Sequence, residues 1–221
     1  MRYKNVYRAV FLGRPNRFIA RVELEGVPET VHVKNTGRCR ELLLPGAELW
    51  LAKSENPARK TRYDLIAVRK ADGVLFNIDS QAPNQVVREW LETQGFDRVT
   101  PEYRYGQSRI DFFMERGGQR YLLEVKGCTL ERDGIGYFPD APTERGARHL
   151  RALTAALAEG WQTAAAFVMQ AESIRTVLPN RETDPAFAKA LEAAQGAGLR
   201  VLYLPCRVAP DCLEILGGPR L

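Results

Sequence analysis

Cysteine and histidine are scarce in this sequence, with four cysteines and two histidines among 221 residues. The cysteines are scattered and form no C-x-x-C pair: Cys39, Cys128, Cys206 and Cys212. This spacing argues against a disulfide framework and against a structural zinc site. Two histidines, with no G-x-S-x-G motif, also argue against Ser-His-Asp catalysis. We therefore expect a protein of the reducing cytoplasm.

Long apolar runs and nucleotide-binding motifs are also missing. No stretch reaches the ~18 apolar residues that a membrane helix needs. The first ten residues carry three basic groups and lack the apolar segment of a signal peptide. The phosphate loop G-x-x-x-x-G-K is absent as well. We expect no membrane insertion, no small-molecule cofactor and no nucleotide-driven motor.

Charge is present but unevenly distributed. The chain is 45% hydrophobic and 27% charged, which indicates a folded globular protein. Residues 1–80 carry 15 basic and 9 acidic side chains, a net charge of +6, whereas residues 81–221 carry 17 and 18, a net charge of −1. A basic excess confined to one end is typical of a module that binds a polyanion. A solvated basic face is the alternative.

Short apolar segments separated by turn residues follow one another through the first 80 residues. Between Phe18 and Leu24, apolar and charged residues alternate, which is the pattern of a half-buried strand. The predicted strands span residues 6–12, 18–24, 30–33, 48–52, 63–68 and 74–78. Such a series without a helix predicts a small closed barrel of the OB type. OB-folds typically bind single-stranded nucleic acids or oligosaccharides.

The pattern changes near residue 80. Pro83 begins a helical segment, and its apolar face contains Val86, Val87, Trp90 and Leu91. Strands are predicted at 98–105, 108–114, 119–125, 163–169 and 199–205, and helices at 143–159 and 185–194. This order predicts a mixed α/β domain. We divide the chain into an OB-like β-barrel domain, residues 1–80, and an α/β domain, residues 81–221.

Three charged residues lie in strands that are otherwise apolar. Glu124 and Lys126 project from one face of their strand, because Val125 between them faces the other way. Asp111 lies in the preceding strand of the predicted hairpin. Buried charges are costly unless they are paired or bound to a cation. The alternative is a cross-strand ion pair.

These residues are the ones that a metal-dependent hydrolase needs. Asp111 and Glu124 would supply oxygen ligands for Mg²⁺ or Mn²⁺, while Lys126 would orient or help to deprotonate an attacking water. Glu89, on the preceding helix, could add a third metal-binding acid. It could equally be an ordinary exposed carboxylate.

Basic residues recur at a predicted helix start and in a loop. Thr143 is a plausible N-cap, and Arg145, Arg148 and His149 follow at helical spacing, an arrangement suited to phosphate. The alternative is a capped helix with a solvated basic stripe.

A turn with glycine follows the strand at 30–33. Gly37 can adopt a positive φ and Asn35 can hydrogen-bond its own turn, so the loop would present Arg38 and Arg40 to phosphate. We add Arg17 to this nucleic-acid-binding set; a tight turn with incidental arginines is the alternative. Three aromatic residues could stack on bases or belong to the core: Phe18, Trp50 and Tyr63.

Several blocks of sequence are long and specific. They are Arg14–Phe18, Lys34–Arg38, Tyr105–Phe112, Glu124–Lys126, Tyr137–Ala141, Thr143–Gly146 and His149-Leu150. In these blocks and in their order, the chain resembles the sugar fermentation stimulation protein family, SfsA, over essentially its whole length.

The resemblance implies an N-terminal OB-like domain and a C-terminal domain similar to PD-(D/E)xK nucleases. In that pattern Asp111 matches the first acid, Glu124 the second, Lys126 the lysine and Glu89 the helix acid of some branches. Ile110 departs from the pattern, which has proline there. The resemblance also implies non-specific DNA binding and a regulatory role in sugar metabolism, especially that of maltose.

Family membership does not settle whether the chain is an enzyme, because a nuclease-like fold can be retained for binding alone. The first hypothesis is a Mg²⁺-dependent nuclease acting at Asp111, Glu124 and Lys126. The second is a DNA-binding regulator without catalysis, and a third is an OB module for oligosaccharide, which the basic barrel disfavours. The oligomeric state stays open, although nucleases acting on duplexes often form homodimers.

Overall fold

The computed structural model describes residues 1–35 and 37–221. Its N-terminal part consists of six strands: β1 (Val6–Asn16), β2 (Ile19–Leu24), β3 (Val27–Val33), β4 (Glu48–Lys53), β5 (Tyr63–Arg69) and β6 (Leu75–Asn77). Each lies where the alternation or apolar run in the sequence predicts a strand. Thr36, in the predicted arginine loop, lies outside the described residues.

The strands β1 to β5 close into a barrel. The order in the sheet is β3-β2-β1-β4-β5-β6, and β3 also pairs in parallel with β5. Alternate side chains such as Ala20 and Val22 are fully buried inside, while Arg21 between them is exposed. The predicted OB-like barrel is therefore confirmed.

The C-terminal part is a mixed α/β domain, as predicted. Its elements are α1 (Ala82–Glu92), β7 (Arg98–Tyr105), β8 (Ser108–Arg116), β9 (Gln119–Cys128), β10 (Leu130–Arg132), β11 (Ile135–Phe138), α2 (Glu144–Ala158), β12 (Gln162–Met169), β13 (Thr176–Pro179), α3 (Pro185–Gly196), β14 (Arg200–Ala209) and β15 (Cys212–Ile215). The main sheet has the order β15-β14-β12-β9-β8-β7, with β12 parallel to both β9 and β14.

Helices cover both faces of the main sheet. Val87 and Leu91 of α1 belong to the same buried cluster as Leu123 and Val125 of β9. Leu153 of α2, with residues of α3, packs in the cluster of the opposite face. Since the sheet is buried on both sides, β9 and β12 are apolar runs in which a charged residue stands out.

The short strands β10, β11, β13 and β15 were not predicted from the sequence. The first three form a separate sheet, in which β11 and β13 pair in parallel over four residues. Segments this short carry too few residues for a periodic pattern, and neighbours distant in the chain complete them. This small sheet fixes the Tyr137-Phe138 segment beside the end of β9.

Both apolar clusters contain residues from both parts of the chain. Phe76 and Ile78 share a cluster with Phe113 and Leu122, and Trp50 of the barrel shares the other cluster with α1. The first residues of the chain also contact the C-terminal part, where the Tyr3 backbone N–H donates to the Asp211 carbonyl at 2.8 Å. The boundary near residue 80 stays a prediction.

No helix within the described ranges is long and apolar enough to cross a membrane.

Candidate active site

Asp111 and Glu124 lie where β8 and β9 separate. The last pair in the register of these strands is Phe112 with Leu123. Beyond this pair, a side chain replaces the backbone acceptor of β8: Asp111 Oδ2 accepts a hydrogen bond from the Val125 backbone N–H at 2.7 Å. The side chain of an acid thus continues the ladder, which fixes the carboxylate at the strand ends.

Glu124 is the centre of the cluster, and it is only 2% exposed. Its Oε1 accepts from Lys126 Nζ at 2.5 Å and lies 2.5 Å from His149 Nδ1. Its Oε2 is buried and has no hydrogen-bond partner. An unsatisfied buried carboxylate oxygen is costly, so this atom marks a place for a donor or a cation.

The two carboxyl groups have opposite electrostatic environments. Burial raises the pKa of Asp111, and the negative charge of Glu124 raises it further. Burial would also raise the pKa of Glu124, but the charge of Lys126 and the contact with His149 outweigh it and lower that pKa. The Glu124 carboxylate is therefore close enough to Asp111 to raise the pKa of that group.

Glu89 does not join this cluster. Its carboxylate is half exposed and lies 2.7 Å from the N-terminal ammonium of Met1. Asn84, from the first turn of the same helix, approaches instead, and its Nδ2 donates to Asp111 Oδ1 at 2.8 Å. The assignment of Glu89 as a metal ligand is therefore corrected. Asn84 was missed because an amide in a first helical turn carries no distinctive sequence signal.

The described residues contain no group of three or more His, Cys, Asp or Glu side chains that could hold a metal ion. Asp111 and Glu124 are thus a two-carboxylate set. Such a set suits Mg²⁺, which proteins often bind through one or two carboxylates, with waters and substrate phosphates completing the shell.

His149 belongs to the cluster and not to the surface. It is 2% exposed, so its assignment to nucleic-acid contact is corrected. Arg145 Nε donates to His149 Nε2 at 3.3 Å. Because an arginine can only donate, we assign the hydrogen of this tautomer to Nδ1, which donates to Glu124 Oε1. Arg145 and Arg148 themselves are exposed on α2, and Thr143 caps that helix as predicted by accepting from the Gly146 N–H at 3.1 Å.

A cavity of about 350 Å³ opens beside Lys126, between the barrel and the α/β domain. Gln170, another residue that the sequence analysis missed, lines it and ties the domains together. Its Nε2 donates to the Asn77 carbonyl at 3.1 Å and to the Asp79 carbonyl at 3.2 Å. A Cβ on Gly127 would lie 2.2 Å from Gln170 Oε1, so only glycine fits after Lys126.

The loop after β3 reaches the same cavity from the barrel side. Asp140 Oδ2 accepts from the backbone N–H groups of Arg38 and Cys39, at 2.6 and 3.1 Å. The predicted turn exists, since Asn35 Oδ1 accepts from the Gly37 N–H at 2.8 Å. Glycine at position 37 is accounted for by the close approach of Asp140, whose Oδ2 lies 2.7 Å from where a Cβ would be.

The basic residues of the barrel lie in a second groove of about 390 Å³. Arg17, Arg38 and Arg40 line it and are exposed. Of the three aromatic residues considered for base stacking, Phe18 is 44% exposed, whereas Trp50 and Tyr63 are each 8% exposed and belong to the core. The structure thus leaves Phe18 as the stacking candidate.

Known proteins match the whole chain. One family model, described as the Sugar fermentation stimulation protein RE domain, matches residues 81–212, and another, the SfsA N-terminal OB domain, matches residues 12–78. A sugar fermentation stimulation protein homolog of Desulfitobacterium hafniense is 48% identical over 97% of this chain and 95% of its own length. One of Ruminiclostridium cellulolyticum is 47% identical over 97% and 96%.

A solved structure is also similar over nearly the full length. It is that of Pyrococcus furiosus SfsA in complex with Ca²⁺, with a TM-score of 0.87 and 25% sequence identity. The match covers 99% of this chain and 96% of the Pyrococcus chain.

Proposed function

Because the chain belongs to the sugar fermentation stimulation protein family, and because its two carboxylates and lysine converge at a domain interface, we propose that it binds DNA and hydrolyses phosphodiester bonds with Mg²⁺ or Mn²⁺. The observation that carries the proposal is Glu124 Oε2, a buried carboxylate oxygen without a partner, beside Asp111. The family name and the resemblance also support a role in sugar metabolism, which we propose for a cytoplasmic protein.

Asp111 and Glu124 are the residues that would hold the cation. Their oxygens are the hard ligands that Mg²⁺ prefers, and the Pyrococcus relative was solved with Ca²⁺, another hard divalent cation. When bound, the cation would neutralise negative charge on the scissile phosphodiester. Asn84 and the Val125 N–H hold the Asp111 carboxylate in one orientation.

Lys126 and His149 have different tasks in this proposal. The Lys126 ammonium contacts Glu124 and also lines the cavity, so it can orient an attacking water and hold a proton at Nζ. His149 is buried and contacts the same Glu124 oxygen as Lys126 does, so it positions the carboxylate. Thr143, the N-cap residue of α2, lines the same cavity, and helix N-termini favour phosphate.

Metal titration tests the ligand set. We expect Asp111→Asn to weaken Mn²⁺ binding by at least about tenfold, because a neutral amide replaces one of two carboxylate ligands. Glu89→Gln is the matched control, since its carboxylate contacts Met1 and not the site. Isothermal titration of Mn²⁺ into the folded variants measures both. Equal affinities in wild type and Asp111→Asn would contradict the proposal.

A cleavage assay across DNA and RNA substrates with Mn²⁺ tests the reaction. Lys126→Ala should keep the metal site and lose about 10²- to 10⁴-fold in rate, the usual contribution of a positioned proton-transfer group. Activity that persists unchanged in Lys126→Ala would point to a contaminating nuclease.

DNA binding without cleavage is the second candidate. Apart from Glu124 Oε2, the carboxylate oxygens of the cluster already have protein partners, because Asp111 accepts two hydrogen bonds and Glu124 Oε1 contacts both Lys126 and His149. Binding of Mn²⁺ and DNA by the wild type with no cleavage of any substrate would favour this candidate.

A further inference from the structure

The groove on the barrel is lined by arginines and by no acid. Its lining consists of Arg14, Asn16, Arg17, Gly37, Arg38, Arg40 and Leu43. Arg14 is structural, because its guanidinium donates to the carbonyls of Asn35, Gly37 and Arg38, at 2.7, 3.0 and 2.7 Å, and to that of Arg17 at 2.8 Å. It thereby holds the two segments that carry the other arginines.

Arg17, Arg38 and Arg40 are exposed, and none has a carboxylate within 4.0 Å among the described residues. Other arginines of the same barrel are paired: Arg8 and Arg69 with Glu48, Arg59 with Asp64, and Arg62 with Glu29. Three arginines without counter-ions around one concavity form a site for an anion with several charges.

This groove and the cavity beside Lys126 share one lining residue, Gly37. Asp140 holds the segment there by accepting from the Arg38 and Cys39 N–H groups. Asn35 is held near the predicted domain boundary, because its Nδ2 donates to the Ile78 carbonyl at 3.0 Å. A chain of phosphates that lies along the arginines and passes Gly37 would reach the cavity beside Lys126.

The exposed ring of Phe18 indicates that the anion also carries unpaired bases. The Phe18 ring is 44% exposed and contacts a residue of the groove, with the Arg17 guanidinium 4.7 Å from its centroid. An exposed ring beside cations is the combination on which unpaired bases stack, whereas a duplex hides the faces of its bases.

We propose that the groove and the cavity form one path for a single strand of nucleic acid, held by Arg17, Arg38 and Arg40 and stacked on Phe18, and that this path delivers a phosphodiester to the centre at Lys126. The delivery part rests on the proposed function. The binding part stands on the groove alone.

Binding measured with a chelator present, so that no cleavage occurs, tests the path. The probes are a thymidine oligonucleotide of about twelve nucleotides, a uridine oligonucleotide and a duplex of the same length. We expect the single strands to bind at least about tenfold more tightly than the duplex. Phe18→Ala should weaken strand binding by about tenfold, the loss of one stacked base, and leave duplex binding unchanged.

The triple variant Arg17→Ala, Arg38→Ala, Arg40→Ala tests the phosphate contacts. Three contacts with a single strand contribute about 2 to the slope of log affinity against log salt, so the slope should fall by that amount. The matched control is Arg21→Ala, Lys53→Ala, Lys60→Ala, which removes the same charge from exposed barrel positions outside the groove. We expect it to keep the slope within about 1.

Duplex binding as tight as strand binding, or equal salt slopes in both triple variants, would overturn the path.

Failure of the proposed function gives a different result. If groove-dependent strand binding is found but no substrate is cut with Mn²⁺, the path stands and hydrolysis is wrong. If cleavage of single strands is unaffected by the groove triple variant at limiting substrate, hydrolysis stands and the path is wrong. A preference between the thymidine and uridine strands tells DNA from RNA.

Discussion

At the scale of single residues, a glycine without room for a side chain lets a loop of the barrel pack against the α/β domain. Gly37 lies under the Asp140 carboxylate, and an added Cβ would be 2.7 Å from Asp140 Oδ2 and 2.8 Å from Asn35 Oδ1. Glycine at this position was visible in the sequence, but its reason was not. The constraint comes from Asp140, a residue more than 100 positions later in the chain.

We predict that Gly37→Ala lowers the free energy of unfolding by about 1 to 3 kcal/mol, because the methyl group displaces Asp140 from two backbone N–H groups. Gly13→Ala is the matched control, since a Cβ there meets nothing within 4 Å and its φ is outside the left-handed region. The control should change stability by no more than about 0.5 kcal/mol. Urea denaturation measures both, and equal effects would contradict the close-approach explanation.

At the scale of elements, the barrel closes through a short seam. Strands β3 and β5 pair over two residue pairs, His32 with Asp64 and Val33 with Leu65. Asp64 is 6% exposed and accepts hydrogen bonds from Arg59 at 2.7 and 2.9 Å, and Lys34 Nζ lies 3.4 Å away. Burial alone would raise the pKa of Asp64, but the contacts with Arg59, His32 and Lys34 outweigh it and lower that pKa to about 2.

This shift predicts how stability at the seam depends on pH. The folded pKa lies below the ordinary value of 3.8, so the stabilisation is fully present above about pH 5 and is lost as the pH falls towards 2. Asp64→Asn should therefore cost about 1 to 2 kcal/mol at pH 7, after allowance for solvent screening, and progressively less below pH 4.

Urea denaturation of both proteins between about pH 7 and pH 2 measures the difference. Asp133→Asn, on the exposed turn between β10 and β11, removes the same formal charge outside the seam and serves as control. A cost of Asp64→Asn that stays constant over this range would rule out the ionic explanation.

At the scale of the whole molecule, the two domains share their apolar clusters. Barrel residues and residues of the α/β domain occur together in both clusters. Met1 also reaches the far end of the chain, where its ammonium donates to the Leu213 carbonyl at 2.7 Å. Neither domain completes its core alone, so separation would expose apolar surface from both.

We therefore predict that the chain unfolds in one cooperative transition. Calorimetry should give a single peak with equal calorimetric and van't Hoff enthalpies. Fluorescence of Trp50 in the barrel and of Trp161 in the α/β domain, observed separately in single-tryptophan variants, should report the same midpoint. Two resolved transitions would show that the domains are independent units.

Much of the site could be predicted from charges in apolar strands. Asp111, Glu124 and Lys126 stood out because strands with two buried faces rarely carry ionised groups, and the structure brings all three together. Asn84, Gln170 and the role of His149 could not be predicted. Their partners lie on other elements, and an amide or a histidine in an amphipathic helix follows the ordinary pattern.

Glu89 shows that predicting a helix beside the site does not predict which of its side chains reaches the site. The sequence correctly puts it on the helix that borders the site, but the side-chain direction sends it to Met1 while Asn84 points to Asp111. A helix places residues 100° apart around its axis, so which residue reaches a site depends on the rotation of the helix against the sheet.

The sequence by itself determined the barrel, the α/β domain and the three charged residues of the site, because periodicity and buried charge are local properties of a chain. The tertiary structure alone decided which helix residue meets Asp111, why residue 37 is glycine and that Gly37 lines both the arginine groove and the cavity beside Lys126. Each of these depends on the distance between segments far apart in the chain, and that distance is set by packing of the shared cores.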